Sequence, residues 1–378
     1  MKIVLAPDSF KESMTAKEAC ESIEKGLRKI IENLECISVP MADGGEGTTQ
    51  SLVDATDGEF YYVDVLGPLG EKVKARYGIL GDKKTAILEM AAASGIELVP
   101  KEKRDATITT TYGTGELIKA ALDRGVETIL IGIGGSATND GGAGMIQALG
   151  GKLLDRDGKE IGFGGGELSK LEKIDLSNLD KRIKDTKIVV ACDVQNPLTG
   201  PNGASHIFGK QKGADENQRE LLDKNLKHYA EIIRKDIGKD VENIPGAGAA
   251  GGLGAGLMAF LSAELKKGIE IVIEYSNLEE KLQGADLVIT GEGSIDGQTR
   301  FGKTPYGVAM TAKKYNIPVI ALAGNVGKDI DVLYEYGFTA ILSILPRVES
   351  LEKAILNGKD NLEYISESIA RMISCFKK

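Results

Sequence analysis

The sequence predicts an α/β protein of two domains, one of which is built on a parallel sheet. Strand-like and helix-like segments alternate at both ends of the chain, over residues 2–55 and again after about residue 274. Between them, over residues 59–91, apolar and polar residues alternate with a period of two, which is typical of antiparallel strands. A chain of 378 residues is also too long for one ordinary core.

The N-terminal segment is predicted to form two strand–helix pairs. The strands cover residues 2–6 and 36–39, and the helices cover residues 15–31 and 46–55. Thr15 is followed three residues later by Glu18, which is the capping-box pattern and marks the start of the first helix.

The middle of the chain is predicted to begin with a meander of strands over residues 61–65, 72–77 and 85–90, separated by turns. Two further strands are predicted at residues 128–131 and 187–191, and a glycine-rich segment covers residues 246–256. That segment could serve close helix packing or form a ligand loop, because small residues permit a close approach of either a helix or a ligand.

The C-terminal segment is predicted to add strands at residues 285–290, 318–323 and 340–344, with helices at residues 305–315 and 330–336 and two more at the end. Together the two ends supply about five strands, the size of a flavodoxin-like doubly wound sheet. We therefore expect a discontinuous Rossmann/flavodoxin-like domain from residues 1–63 and 275–378. A second, mixed α/β domain from residues 64–274 is inserted into it.

Composition and charge exclude several classes of function. The formal net charge of −9 argues against a non-specific nucleic-acid binder. The four cysteines form no C-x-x-C pair, so neither a zinc site nor a disulfide framework is indicated. Because no signal peptide or membrane span is apparent, we expect a cytoplasmic protein without a membrane partner. Whether the protein forms a homo-oligomer stays open.

The glycine-rich stretch over residues 132–144 follows a predicted strand and precedes a predicted helix. Glycines let the backbone approach an anion closely and aim several N–H groups at one phosphate. The spacing fits neither G-x-G-x-x-G nor G-x-x-x-x-G-K-[ST], so a standard dinucleotide or Walker site is not indicated. A plain helix start is the alternative.

Polar clusters also follow the two N-terminal strands. Lys11 lies in a loop with an acid and two hydroxyls and could clamp a phosphate or carboxylate, whereas an exposed loop that caps a helix is the alternative. Asp43 and Glu46 are bracketed by glycines and could face a cation or a hydroxylated substrate. An Asp-Gly turn at a helix start explains one of these acids equally well.

Two later clusters carry further acids. Asp193 comes directly after a predicted strand and is followed by Asn196, so it could take a proton from an attacking hydroxyl, although an Asx turn is the alternative. The segment over residues 290–304 combines two acids, two basic residues, amides and hydroxyls, a composition suited to Mg²⁺ and polyphosphate. A polar surface loop would not require so many functional types together.

Five motifs in this order resemble the bacterial type I glycerate kinase family over essentially the whole chain. They cover residues 7–11, 42–48, 134–142, 192–198 and 290–299, the last through Thr290-Gly291-Glu292-Gly293 with Asp296 and Gln298-Thr299. The resemblance implies ATP-dependent phosphorylation of D-glycerate and a two-domain fold with a discontinuous Rossmann-like domain. We expect the reaction to take place in the cleft between the domains.

For such a kinase the residue types predict roles. The predicted catalytic residues are Asp193, as the base, and Lys11. The predicted substrate-binding residues are Asp8, Ser9, Asp43, Asn196 and Arg300. The predicted ATP-binding residues are Gly134, Gly135, Ser136, Thr138, Asn139, Asp140, Gly141 and Lys303. The predicted Mg²⁺ ligands are Glu292 and Asp296, with Asp43 as an alternative.

Two other functions stay open from the residues alone. A nicotinamide-dependent hydroxy-acid dehydrogenase would share the glycine turns but lacks its expected G-x-G-x-x-G after the first strand. A non-catalytic sensor of a nucleotide or sugar acid would bind without turnover. The sequence also leaves open whether the 2- or the 3-hydroxyl of glycerate receives the phosphate.

Overall fold

The computed structural model describes residues 1–376 and divides the chain into two compact units. The first unit is Met1–Asp57 together with the chain from Ile269 onward, and the second is Gly58–Gly268. The predicted boundaries after residues 63 and 274 instead fall inside a strand and a helix. The domain organisation itself stays a prediction.

Strands and helices alternate along much of the described chain. The strands are β1 (Lys2–Leu5), β2 (Glu35–Ser38), β3 (Glu59–Leu66), β4 (Lys72–Ile79), β5 (Thr85–Glu89), β6 (Thr128–Gly132), β7 (Lys152–Leu154), β8 (Lys173–Asp175), β9 (Lys187–Ala191), β10 (Glu264–Lys266), β11 (Leu287–Ile295), β12 (Val319–Val326) and β13 (Ala340–Ser343). The α-helices are α1 (Ala16–Arg28), α2 (Thr48–Ala55), α3 (Ala91–Ser94), α4 (Tyr112–Leu122), α5 (Ala143–Ala148), α6 (Ala204–Phe208), α7 (Glu216–Ile237), α8 (Ala249–Leu261), α9 (Gly268–Tyr275), α10 (Leu278–Leu282), α11 (Thr304–Lys313), α12 (Leu351–Leu356) and α13 (Gly358–Phe376). Short 3₁₀ helices lie at Ile96–Leu98, Lys101–Lys103, Gly165–Lys170, Lys181–Asp185, Lys210–Lys212 and Ile330–Tyr336.

The first unit contains a five-stranded parallel sheet in the order β13-β12-β11-β1-β2. Counted in chain order within the unit, this is 2-1-3-4-5, the strand order of flavodoxin-like folds. Strand residues such as Ile3, Leu5 and Ile289 are fully buried, as expected for a sheet covered on both faces. The predicted α/β class is confirmed.

Helix α1 shows how local sequence builds this layer. Thr15 caps the helix: its hydroxyl accepts from the Glu18 N–H at 3.2 Å, and its own N–H donates to the Glu18 carboxylate at 2.9 Å. Gly26 faces α13 so closely that a Cβ there would collide with the carbonyl oxygen of Glu363. The helix therefore has a defined start and a glycine-dependent packing face.

The second unit contains a six-stranded mixed sheet in the order β10-β9-β6-β5-β4-β3. Strands β3, β4 and β5 form the expected antiparallel meander, while β5, β6, β9 and β10 run parallel. Strands β7 and β8 form a separate antiparallel pair.

Two local predictions differ from the structure, and for a third segment, residues 246–256, the sequence leaves both helix packing and a ligand loop open. Strand β11 continues to Ile295 because it pairs with β12 along its length, so Glu292 lies on a strand and not in a loop. Residues 330–336 form a 3₁₀ helix. Residues 246–256 lead into α8, whose first turn is left-handed from Ala250 to Gly252. None of the described helices is long and apolar enough to cross a membrane.

Candidate active site

A cavity of about 750 Å³ lies at the carboxyl ends of the parallel strands in the first unit. In open α/β sheets this edge, at the point where the strand order reverses, is where ligands bind. The reversal here lies between β1 and β11. The polar residues lining the cavity are Asp8, Ser9, Lys11, Glu12, Ser13, Asp43, Glu46, Glu292, Ser294, Lys303, Asn325 and Glu349.

Asp8 follows β1 and is held by its neighbours. Its carboxylate accepts from the Ser9 N–H at 2.6 Å, from the Ser9 hydroxyl at 3.2 Å and from the Thr304 hydroxyl. Burial raises the pKa of Asp8 to about 6, against the lowering effect of the Thr304 hydrogen bond. Thr304 ends the segment 290–304 that was predicted to suit Mg²⁺ and polyphosphate, although it is not among the predicted site residues. In the structure it begins α11, and the parallel pairing of β1 with β11 brings the two segments together.

Glu292 lies on β11 and lines the same cavity. Burial raises its pKa to about 7; Lys303, whose ammonium is 3.5 Å from the carboxylate, acts in the opposite direction, and the nearby Asp8 adds to the rise. Two carboxyl groups with pKa values close to neutrality therefore share one cavity, an arrangement common at functional sites.

Lys11 supplies a second cation to this cavity. It lies in a tight turn between Phe10 and Met14, whose backbones pair with each other, and Glu12 next to it has a φ of 64°. Within residues 1–376 its ammonium has no ion pair or hydrogen bond, and the side chain is exposed. An exposed cation of this kind is available to an anionic ligand.

The structure separates two predicted residues from this group. Asp296 and Arg300 line another cavity, of about 760 Å³, together with Phe301 and Lys328. Asp296 also accepts from the Gln298 N–H at 2.8 Å, which closes a local turn. The predicted metal ligands Glu292 and Asp296 therefore line different cavities, but Thr299 connects them: its hydroxyl donates to the Glu292 carboxylate at 3.5 Å and accepts from the Asp296 N–H at 3.2 Å. Asp43 lies with Glu292 and accepts from the Gly45 N–H at 3.0 Å.

The glycine-rich loop of the second unit has a tip formed by the exposed Gly134 and Gly135 and the buried Ser136. Among the described residues, no acceptor bonds to the backbone N–H groups of these three. The Gly135 carbonyl accepts from the Ile96 N–H at 2.8 Å, and the φ of Gly135 is 69°. Consecutive free N–H groups around a left-handed residue form the kind of concavity that binds anions.

The rest of the loop is buried. The carboxylate of Asp140 accepts from the N–H and the hydroxyl of Thr111, both at 2.8 Å, and from the N–H groups of Gly142 and Gly144, both at 3.2 Å. Asn139 donates to the Ser205 hydroxyl at 2.9 Å. These contacts hold the loop in the fold.

Thr138 and Gly141 are also enclosed. The carbonyl of Thr138 accepts from the ammonium of Lys212 at 2.7 Å, and the Gly141 N–H donates to the Gly251 carbonyl at 3.0 Å. Burial lowers the pKa of Lys212 to about 7, against the opposing effect of Asp140. Lys212 was missed because its sequence surroundings, Lys-Gln-Lys-Gly, resemble an ordinary solvated turn.

Asp193 and Asn196 follow β9 in the second unit. Asp193 is exposed, and its carboxylate accepts from the N–H of Gly268, the first residue of α9, at 3.1 Å. Asn196 donates to the Asn202 carbonyl at 2.9 Å. Asp193 therefore follows the end of a strand, as predicted, and its carboxylate contacts the start of helix α9.

The chain is similar to a known protein family, to individual proteins of that family and to a solved structure. Residues 3–374 match the model of the glycerate kinase family. A glycerate 2-kinase of Escherichia coli K12 is 58% identical over 374 residues, which cover 99% of this chain and 98% of that protein. A glycerate kinase of Bacillus subtilis 168 is 55% identical over 377 residues, with 100% and 99% covered. A crystal structure from Salmonella typhimurium LT2 described as glycerate kinase 2 is 50% identical, with a TM-score of 0.92 and 100% of this chain and 99% of that chain covered.

Proposed function

Since the chain belongs to the glycerate kinase family, we propose that it transfers the terminal phosphoryl group of ATP to a hydroxyl of D-glycerate. The observation that carries this function is the family match over residues 3–374. The chain is a phosphotransferase with an alcohol acceptor, and the dehydrogenase and sensor alternatives have no support among its relatives.

The acceptor in this proposal is the 2-hydroxyl of glycerate. The support is the name of the Escherichia coli relative, a glycerate 2-kinase, at 58% identity. The product is then 2-phosphoglycerate, with ADP as the second product.

The nucleotide phosphates are proposed to bind at the tip of the glycine loop. The unpartnered N–H groups of Gly134, Gly135 and Ser136 support this placement, because a phosphate oxygen can accept from several of them at once. The side chains of Asn139 and Asp140 form hydrogen bonds within the fold and the side chain of Thr138 is buried, so none of the three is proposed to contact the phosphates.

The cavity of the first unit is proposed to bind the anionic groups that take part in the transfer. Lys11 supplies an exposed ammonium, and Lys303 supplies a second one beside Glu292. Phosphoryl transfer depends on alignment and on neutralising charge more than on covalent chemistry, so two lysines in one cavity suit it.

The acidic side chains of the cavity in the first unit are the candidate ligands for Mg²⁺. Within residues 1–376 no group of three or more histidine, cysteine or acidic side chains could hold a metal ion. Mg²⁺ usually keeps several waters and binds through one or two carboxylates together with substrate phosphates, so Glu292, with Asp43 in the same cavity, fits that requirement. When bound, Mg²⁺ would neutralise charge on the phosphate oxygens.

Asp193 is proposed as the base. In the reaction the glycerate hydroxyl oxygen forms a bond to the terminal phosphorus of ATP, the bond from that phosphorus to the ADP oxygen breaks, and the hydroxyl proton passes to the Asp193 carboxylate. Its exposure at the end of β9 supports the assignment.

ADP formation tests the proposed function. The purified protein with ATP and Mg²⁺ should release ADP only when D-glycerate is added, and L-glycerate serves as the matched control. Stabilisation by ATP without any ADP would indicate a sensor instead, and a glycerate-dependent change in NAD(P)H absorbance would indicate a dehydrogenase.

A further inference from the structure

Lys212 is a buried lysine without a role in the function described above. Only 2% of its surface is exposed, and its ammonium donates to the carbonyl of Thr138 at 2.7 Å. It ends the short 3₁₀ helix Lys210–Lys212, which lies 74 residues along the chain from the glycine loop.

Burying an ammonium is costly, and a well-packed apolar side chain is often at least as good for stability. The acid that interacts with Lys212 is Asp140, and its carboxylate already accepts four hydrogen bonds from Thr111, Gly142 and Gly144. The direct contact of the ammonium is the loop carbonyl. A contribution to the shape of the loop therefore explains its presence better than an ion pair does.

The Thr138 carbonyl is enclosed on a second side by Gly251. A Cβ at Gly251 would collide with that oxygen, and the φ of Gly251 is 68°. The segment that carries Lys212 is equally constrained, because a Cβ at Gly213 would collide with the carbonyl oxygen of Arg104. Neither partner can therefore shift easily without losing the contact.

Two more hydrogen bonds hold the residue before Thr138 in place; we call these bonds and the Lys212–Thr138 bond the anchors of the loop. The Ala137 N–H donates to the Ser94 carbonyl, and the Ala137 carbonyl accepts from the Thr109 hydroxyl, both at 2.9 Å. With Lys212 at Thr138, these bonds fix the two residues that directly follow the tip. The tip leaves its N–H groups free, and the Gly135 carbonyl accepts from the Ile96 N–H, so the anchors at Ala137 and Thr138 hold the end of the tip that continues into the loop.

We propose that Lys212 is a positioning residue for ATP: through the Thr138 carbonyl it holds the N–H groups of Gly134, Gly135 and Ser136 in the arrangement that binds the nucleotide phosphates. This inference rests on the proposed placement of those phosphates at the loop tip. Lys212 touches no substrate and acts through the loop backbone.

Lys212→Met is the direct test, because it keeps the unbranched apolar part of the side chain and removes its donors. The expected result is a KM for ATP raised about tenfold or more, the factor that corresponds to losing one hydrogen bond to phosphate. The KM for glycerate should stay within about twofold. Amide hydrogen exchange over residues 134–140 should be faster. Lys210→Met, at an exposed position of the same 3₁₀ helix, is the control and should change none of these.

Lys212→Gln keeps an N–H donor without the charge, and its KM for ATP should lie between wild type and Lys212→Met. If the Met variant does not fold, the Gln variant carries the same comparison. Equal changes in the KM for ATP and for glycerate would indicate a merely structural role and overturn the inference.

A Gly135→Val variant distinguishes the proposed phosphate site at the loop tip from the proposed positioning role of Lys212. If Gly135→Val raises the KM for ATP and the Lys212 variants do not, the inference about Lys212 is wrong and the phosphate site stands. If Gly135→Val also leaves the KM for ATP unchanged, the phosphates bind elsewhere and both proposals fail.

Discussion

Single residues in this protein carry charge in places where a stable fold alone would not put it. Asp8 and Glu292 line one cavity, and burial raises both of their pKa values, to about 6 and about 7. Lys212 is buried with its pKa lowered to about 7. Buried ionisable groups with shifted pKa values are typical of functional sites, which are maintained at some cost in stability.

Asp193→Asn tests the proposed base. If Asp193 accepts the glycerate proton, kcat should fall by about 10²- to 10⁴-fold, the usual contribution of general base catalysis. The KM for glycerate should change little. Asp185→Asn is the matched control, because Asp185 is an exposed acid just before the opposite end of the same strand, β9. Near-normal turnover of the Asp193 variant would show that another group takes the proton.

The sequence predicted several residues that line the cavity of the first unit, but it did not predict which side chains of the glycine loop are buried. Asp8, Lys11 and Glu292 were found because each lies at or near the end of a predicted strand, and such ends share one edge of a parallel sheet. A pattern of residue types does not tell which side chains of a glycine loop turn inward. Asn139 and Asp140 were therefore expected at a ligand and lie inside the fold.

At the scale of elements, glycines have two effects: they permit backbone conformations that leave N–H groups free, and they let segments approach closely. In the glycine loop they leave backbone N–H groups free at the tip. In α1 a glycine permits contact with α13. The extension of β11 to Ile295 and the 3₁₀ form of residues 330–336 were not predicted, because both depend on pairing and packing with distant segments.

Gly135→Val is the element-scale test of the phosphate site. Valine is strained at a φ of 69° and would disturb the row of free N–H groups, so the KM for ATP should rise about tenfold or more. Gly158→Val, at a φ of 76° in an exposed turn of the same unit, is the control for strain alone. Steady-state kinetics with varied ATP measures the effect, and an unchanged KM contradicts the placement.

Gly26→Ala tests the packing of α1 on α13. Alanine favours a helix by about 1 kcal/mol over glycine. The collision with the Glu363 backbone should outweigh that gain and lower the free energy of unfolding by about 1–3 kcal/mol. Glu21→Ala, at an exposed position of the same helix, should change it by less than about 0.5 kcal/mol. Denaturant unfolding compares the two, and a more stable Gly26→Ala variant would refute the packing argument.

The whole molecule combines two compact units, one of which is formed by both ends of the chain. The alternation of strands and helices was enough to predict the parallel sheet and its α/β class. The bacterial glycerate kinase resemblance inferred from five short motifs is confirmed by the family match over residues 3–374. The order of the motifs carried more information than any one of them, because each alone has an ordinary structural explanation.

The central claim is that this chain phosphorylates D-glycerate from ATP, and NMR of the reaction products tests it most directly. Phosphorus and carbon spectra of a mixture of the protein, ATP, Mg²⁺ and D-glycerate should show ADP and a single new phosphate monoester on carbon 2. A monoester on carbon 3 would contradict the proposed acceptor hydroxyl. Spectra with no new monoester, while the protein remains folded, would contradict the activity itself.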